Sequence, residues 1–198
     1  MKIRTILFSL LCLQFISLAV HAQSSARYFL YTPGSSTESG IFGSTVAEPY
    51  SHSKAIEVSS FSFVGERYID FSAAGNHFSD HEWQDLELIL TADTKAYSSL
   101  MTHYVSGVDV PKLTLEGVIF GAAPGAASGN WVFMKIEMSQ VYVAAVAIEA
   151  TEGDSLVVNV RLAWKSMKFE TSSLDNSATA TSNGSTTWNR QTNDTTYP

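Results

Sequence analysis

The chain has 198 residues, a formal net charge of -7 at pH 7 and a single cysteine, Cys12. An acidic surface repels phosphate backbones and anionic headgroups, so we predict no nucleic-acid partner and no membrane-surface partner. One cysteine excludes an intrachain disulfide, and a chain of this length fits one domain with one sizeable core.

The first 22 residues have the three parts of a secretory signal peptide. Lys2 and Arg4 form a basic start, an uncharged run at 6–20 follows, and Val20-His21-Ala22 is a small-residue cleavage pattern. The run is shorter than the ~20 apolar residues that span a bilayer, which disfavours a membrane helix. We predict a signal peptide at 1–22 and a secreted or periplasmic protein. Cleavage before Gln23 removes two cations and takes the formal charge from -7 to -9.

The pattern at 27–170 is mainly that of β-strands, beginning with an irregular strand at 54–64. Ile56 and Val58 share one phase of its alternation, whereas Phe61 and Phe63 share the other. Such a change of phase indicates either a bulge or a strand that is buried on both faces. In the second case another subunit could cover one of the faces.

A strand at 83–90 is followed by a single predicted helix. Asp93 or Thr94 can cap its first amides, Gly107 supplies a left-handed stop, and Pro111 prevents continuation. Its apolar positions recur at helical spacing and are Ala96, Tyr97, Leu100, Met101, Tyr104 and Val105. This stripe predicts a helix that packs across the sheet, with His103 in a structural role.

Period-two alternation predicts further strands at 112–120, 131–138, 141–148 and 156–164. Gly117, inside the first of these, indicates a bulge or a close backbone approach. The segment at 141–148 is apolar on both faces, so we expect both faces to be covered. The small residues at 121–129 predict a flexible loop.

The C-terminal residues 172–198 are rich in Ser, Thr and Asn and nearly free of aliphatic side chains. Such a segment cannot bury enough apolar surface to offset its chain entropy, so we predict a polar, mobile tail. Trp188 and Tyr197 are its exceptions, and they either dock on a neighbour or belong to an unanchored end. The predicted domain limits are therefore 1–22 for the signal, 23–171 for the folded domain and 172–198 for the tail.

The search for chemistry finds no catalytic, cofactor-binding or metal-binding residues that we would assign. His77, Asp80, His81 and Glu82 form the densest cluster of possible ligands, but they lie in a predicted loop. Metal sites need three or four converging ligands, so we interpret the cluster as solvated. The sequence contains no nucleophile elbow, zinc-protease motif, phosphate-binding loop or dinucleotide fingerprint.

Several segments, taken together, resemble one family. The segment Ile56-Glu57-Val58-Ser59-Ser60-Phe61-Ser62-Phe63 resembles the central strand motif of the Hcp proteins, the tube subunits of type VI secretion systems. His52 and Lys54 precede it as a His-Lys pair does in that family. The predicted helix at 94–105 and the strands at 131–138 and 160–170 follow in the family's order, so the resemblance spans about 28–170.

The resemblance implies a mainly β fold, a compact barrel or sandwich of two antiparallel sheets with one flanking α-helix. It further implies a structural protein, not an enzyme, that assembles into hexameric rings and carries small effector proteins in the bore. It supplies no catalytic, cofactor or metal residue. The signal peptide departs from the family pattern, because the usual tube is assembled in the cytoplasm.

Three hypotheses therefore stand. The first is an exported Hcp-like ring protein. The second is a secreted β-sandwich binding module for a glycan or for an envelope or host protein, with Trp83, Trp131 or Trp188 on an exposed aromatic platform. The third is a secreted hydrolase that uses scattered carboxylates or the pair His77 and His81.

Overall fold

The computed structural model describes residues 26–34, 40–50, 54–66, 69–70, 77–78, 82–91, 93–121, 129–150, 156–175, 177 and 179–197. The signal peptide predicted at 1–22, the residues Asp80 and His81, and most of the loop predicted at 121–129 lie outside these ranges. The helix α1 is Thr94–Ser106. The strands are β1 (Arg27–Tyr31), β2 (Ile56–Ser62), β3 (Gly65–Glu66), β4 (Ile69–Asp70), β5 (His77–Phe78), β6 (Glu82–Trp83), β7 (Leu86–Thr91), β8 (Val110–Ile119), β9 (Trp131–Glu149), β10 (Val157–Ala163), β11 (Ser166–Leu174) and β12 (Ala180–Asn189).

The described strands confirm the predicted mainly β barrel, and the helix among the described residues is α1. The antiparallel order β10-β7-β2-β1-β8-β9 closes on itself, because β9 also pairs with β10. The strands predicted separately at 131–138 and 141–148 are one continuous strand, β9, of 19 residues. The strand predicted at 83–90 is instead divided between β6 and β7. The short strands β3 to β6 form ladders that extend the β2–β7 hairpin away from the barrel.

The change of phase in β2 comes from a bulge. The pairing of β2 with β7 shifts register between Val58 and Ser60, so that Ser59 is the extra residue. Ser59 is exposed, and the buried residues of the strand are Ile56 and Val58. The bulge alternative is therefore confirmed, and it turns Phe61 towards the core cluster.

Gly117 in β8 lies at a bulge, the first of its two sequence-based alternatives. The pairing of β8 with β9 shifts register between Gly117 and Val118. The close neighbour is a side chain and not a backbone, because a Cβ atom added at Gly117 would stand 2.6 Å from Cζ of the Phe133 ring. A larger residue at this position therefore needs the Phe133 ring to shift.

The helix has the predicted caps but only part of the predicted packing. Asp93 Oδ1 accepts hydrogen bonds from Lys95 N at 3.0 Å and Ala96 N at 3.1 Å, and Gly107 has φ 65°. Ala96 and Leu100 are buried in the core, whereas Val105 is 77% exposed. The apolar stripe is thus covered over its N-terminal half and open at its C-terminal end.

His103 has the structural role predicted for it. The side chain is buried, and its Nδ1 lies 3.0 Å from the Ser99 carbonyl oxygen one turn earlier in α1.

The C-terminal segment differs from the predicted mobile tail. The strand β12 pairs with β11 from Asn189 opposite Ser166 to Ala180 opposite Leu174. Trp188 packs against the main core cluster. Backbone hydrogen bonds to the free edge of β11, more than apolar burial, account for this strand, because each main-chain group needs a partner. The prediction of an unstructured tail is therefore wrong for 180–189.

A small second core lies outside the barrel, beneath the segment at 41–50. Phe29 stacks on Tyr50 with ring centroids 4.1 Å apart, and both are buried. The buried Glu116 carboxylate accepts hydrogen bonds from Tyr31 Oη at 2.8 Å and from Tyr50 Oη at 2.7 Å. Burial first, and then this carboxylate, raise the pKa of both tyrosines. The segment is therefore tied to β8 by a buried polar group that the chain itself satisfies.

We predict that Tyr50→Phe destabilises the protein by about 1–3 kcal/mol, because it leaves a buried carboxylate oxygen of Glu116 without its donor. The matched control is Tyr197→Phe, which removes a buried hydroxyl that has no hydrogen-bond partner. The control should unfold at the same urea concentration as the wild type, or at a higher one. Equal losses in the two variants, measured by urea unfolding, would contradict the role of the Glu116 hydrogen bonds.

We predict that Gly117→Ala costs about 1–3 kcal/mol of unfolding free energy, the usual cost of overpacking. Alanine is otherwise preferred to glycine within a strand, so a stabilised variant would refute the steric explanation. Adding Phe133→Leu should recover part of the loss. A double-mutant cycle by urea unfolding measures that coupling.

Candidate assembly surface

None of the residues that the structure describes covers one outer face of the barrel, which we call the open face. It is formed by the outward residues of β2, β7, β10 and the C-terminal half of β9. Their register places the residues in rows across the four strands. One row is Ala147, Asn159, Ile89 and Ser60, and the next is Ala145, Arg161, Glu87 and Ser62.

The open face is partly apolar because of the sequence of β9. The inward residues Val141 and Val143 are buried in the barrel, while the outward Tyr142 is 46% exposed and Ala147 is exposed. Ile89 of β7 is 41% exposed on the same face. The expectation that 141–148 is covered on both faces therefore does not hold within one chain.

Charged groups border the apolar part of the open face. Asp85, between β6 and β7, lies 3.7 Å from Arg161 Nε and 2.8 Å from Arg190 Nη1. The Arg190 guanidinium also lies 5.1 Å from the centre of the Trp164 ring. A polar rim around an apolar centre is the arrangement found in protein interfaces.

A second apolar patch lies at the C-terminal end of α1. We call it the helix-end patch, and it consists of Tyr104, Val105 and Val108, all of which are exposed. It carries the part of the helical stripe that the barrel leaves uncovered. The open face and the helix-end patch are therefore two apolar surfaces that the described part of the chain leaves exposed.

The outer face of β8, β9 and β11 differs from the open face because its charges are paired within the chain. Lys135 bonds Glu137 at 3.0 Å, and Lys168 bonds Glu170 at 2.7 Å. The strand register also sets Lys135 opposite Glu170 and Glu137 opposite Lys168. We call this the charged face. Because its lysines and glutamates already neutralise one another, its charges offer little binding energy to a partner.

The residues at 190–197, which we call the C-terminal strap, fold back towards the charged face. The Thr195 carbonyl oxygen accepts a hydrogen bond from Thr187 Oγ1, and the Tyr197 ring centre lies 5.8 Å from Lys112 Nζ. Burial, and then the charges of Glu137 and Glu170, raise the pKa of Tyr197 to about 12. Tyr197 therefore docks on its own chain.

We predict an alkaline weakening of the strap. The neutral form of Tyr197 is favoured in the folded state, so its contribution is complete below pH 10 and is lost as the pH rises towards 12. Across that range the wild type should lose unfolding free energy relative to Tyr197→Phe, as measured by urea titrations. A constant difference between the two proteins would show that Tyr197 titrates as an exposed phenol.

The tryptophans considered for a binding platform do not share a surface. Trp83 stacks on Phe63 with ring centroids 4.9 Å apart, whereas Trp131 Nε1 donates to Ser172 Oγ at 2.9 Å. Trp188 pairs with Met167 across β11 and β12, on the core side. The geometry therefore does not support the predicted aromatic platform.

The predicted ligand cluster lies mostly outside the described residues, which do not include Asp80 and His81. Within those ranges, no three His, Cys, Asp or Glu side chains come together as a metal site would require. No described helix combines the length and apolar character needed to cross a bilayer.

The fold is similar to that of several solved structures. A solved structure described as a type six secretion system protein is similar with a TM-score of 0.71 and 20% identity, covering 86% of this chain and 99% of that one. Hcp1 from Salmonella typhimurium is similar with a TM-score of 0.60 and 16% identity, covering 85% and 97%. A type VI secretion system effector from Yersinia pestis has a TM-score of 0.52 and 12% identity, covering 82% and 98%.

The sequence identifies the family directly. The profile of the family described as "Type VI secretion system effector, Hcp" matches residues 35–171. The chain therefore belongs to the Hcp family, as its strand and helix motifs suggested. A comparison with curated protein sequences gives no match.

Proposed function

We propose that this chain is an exported structural Hcp protein that assembles into hexameric rings with an open bore. The observation that carries the proposal is the open face. A strand with apolar residues on both sides, of which one side is uncovered in the monomer, gains free energy when a second copy covers it. Ala145 and Ala147 have small side chains, so a second copy can approach the backbone of β9 closely.

The two apolar surfaces suit a ring better than a two-fold dimer. In a closed ring each subunit uses one surface towards the preceding subunit and a different one towards the next. The open face and the helix-end patch supply such a pair of distinct surfaces. We infer that the helix-end patch of one copy contacts the open face of its neighbour.

The role we propose is one of assembly and carriage, not of catalysis. Small effector proteins are the cargo expected in the bore, as for the family. The signal peptide predicted at 1–22 would place the ring in the periplasm or outside the cell. The assembly would then form after export through the general secretion route and not inside a cytoplasmic tube.

The deciding experiment is the native mass of the exported protein, together with its N-terminal sequence. We expect a particle of six subunits that each begin near Gln23. A monodisperse monomer at high concentration would refute the ring. An N-terminus at Met1 would refute cleavage while leaving the ring proposal intact. Salt should favour the particle, because each mature subunit carries a formal charge of -9 and like charges are screened.

We predict that Ala147→Arg dissociates the ring particle into smaller species, because it places a long cation in the apolar part of the open face. The matched control is Ala180→Arg, at an exposed position of β12 away from that face. Multi-angle light scattering at equal concentration measures both. Intact particles of Ala147→Arg would show that the subunits meet elsewhere, whereas dissociation of both variants would indicate a general charge effect.

A further inference from the structure

A switch of strand pairing opens an apolar cleft between the two sides of the barrel. The strands β10 and β11 run consecutively along one edge of β9. On their other edge, β10 pairs with β7, whereas β11 pairs with β12. The sheet therefore forks near Trp164 and Lys165, and β6 and β7 diverge from β11 and β12.

The fork leaves a cleft of about 370 Å³, which we call the sheet cleft. Its volume lies within the range of ~300–1,000 Å³ that small-molecule sites occupy. One wall comes from the root of the β2–β7 hairpin and the other from β9, β11 and β12. The wall residues are Phe61, Phe63 and Trp83 on the first side and Met134, Phe169 and Thr186 on the second.

The lining of the sheet cleft selects against polar and charged ligands. Phe63 and Trp83 stack with an angle of 12° between their rings, and Ile136 and Met167 at the inner end are each 1% exposed. None of the described residues that line the cleft is ionisable. Apart from the indole N–H of Trp83, the side-chain polar group in the lining is the Thr186 hydroxyl.

This chemistry also disfavours a peptide or a sugar as the occupant. A peptide brings backbone N–H and C=O groups, and a sugar brings hydroxyls, and each such group costs free energy when it is buried without a partner. A hydrocarbon chain has no such groups, and flexible methionines such as Met134 and Met167 adapt to its shape. One wall includes β12, which lies beyond the family match at 35–171.

We propose that the sheet cleft binds a single hydrocarbon chain, supplied either by a free fatty acid or by the acyl group of a phospholipid. The polar end of the ligand remains in solvent at the rim, near Thr186, which is exposed. The inference is independent of the proposed ring, because the open face and the cleft lie on opposite sides of the β2–β7–β10 sheet.

Quenching of tryptophan fluorescence tests the proposal on the full chain. We expect 12-bromododecanoate to quench the fluorescence saturably, since bromine acts at short range, and unbrominated dodecanoate to compete. Trp83→Phe should remove much of the quenching amplitude, and this loss would locate the bound hydrocarbon chain in the sheet cleft. Unsaturable quenching, or an amplitude unchanged in Trp83→Phe, would overturn the proposal.

Two variants on adjacent positions of β12 separate the cleft from the surface around it. Thr186→Phe fills the cleft from an exposed position and should weaken binding by about tenfold, equal to ~1.4 kcal/mol. The control Ser185→Phe adds the same ring on the opposite face of β12 and should leave binding within about twofold, or ~0.4 kcal/mol. Equal affinity in the two variants would overturn the proposal, and their circular dichroism spectra verify that both are folded.

Vesicles of brominated phosphatidylcholine distinguish the two sources. If the vesicles quench the fluorescence and Thr186→Phe weakens that quenching, the bound hydrocarbon chain comes from a phospholipid. If 12-bromododecanoate quenches and the vesicles do not, the ligand is a free fatty acid. Both outcomes support a hydrocarbon site. Vesicle quenching that is the same in Thr186→Phe and Ser185→Phe would reveal non-specific adsorption and would count against the cleft.

Discussion

The long strand β9 is the constraint on which the architecture depends. Its first half pairs with β8 on one edge and β11 on the other, and its second half pairs with β10. The barrel closes on β9, which has 19 residues, so the first and second halves of this strand lie on different sides of the molecule. The barrel, the fork of the sheet and the open face all follow from this division.

The outer faces of the barrel are covered in different ways, and this distinguishes structural surfaces from free ones. The segment at 41–50 closes over Phe29, where two tyrosines satisfy Glu116. The charged face compensates its own charges by ion pairs along β9 and along β11, and the register sets opposite charges across these two strands. Among the described residues, the open face has neither a covering segment nor full compensation, so its apolar residues are the ones that gain most from a partner.

Patterns that are local in sequence predicted the fold well. The caps of α1 depend on a few neighbouring residues whose preferences are strong. The change of phase in β2 left a bulge and double burial as alternatives, and the register with β7 decides between them. Gly117 indicated an irregularity in β8, but the ring that crowds it belongs to Phe133 of β9. The strand β12 escaped prediction because its sequence, ATSNGSTTWN, offers little apolar surface, and the free edge of β11 that recruits it cannot be read from composition. The Glu116 hydrogen bonds and the sheet cleft were also hidden, since they join residues far apart in the chain.

The open face and the sheet cleft lie on opposite sides of one sheet, which is formed by β2, β7 and β10. Its outward residues form the open face, where we propose that a neighbouring subunit binds, and its inward residues face the core and the cleft. In β2 the bulge at Ser59 is what allows both, because Ser60 and Ser62 reach the open face while Phe61 points to the cleft. A strand without that bulge would carry Phe61 and Phe63 on the outside and would leave the cleft without its aromatic wall. The same extra residue therefore keeps these two aromatic side chains off the open face and supplies the sheet cleft with its aromatic wall.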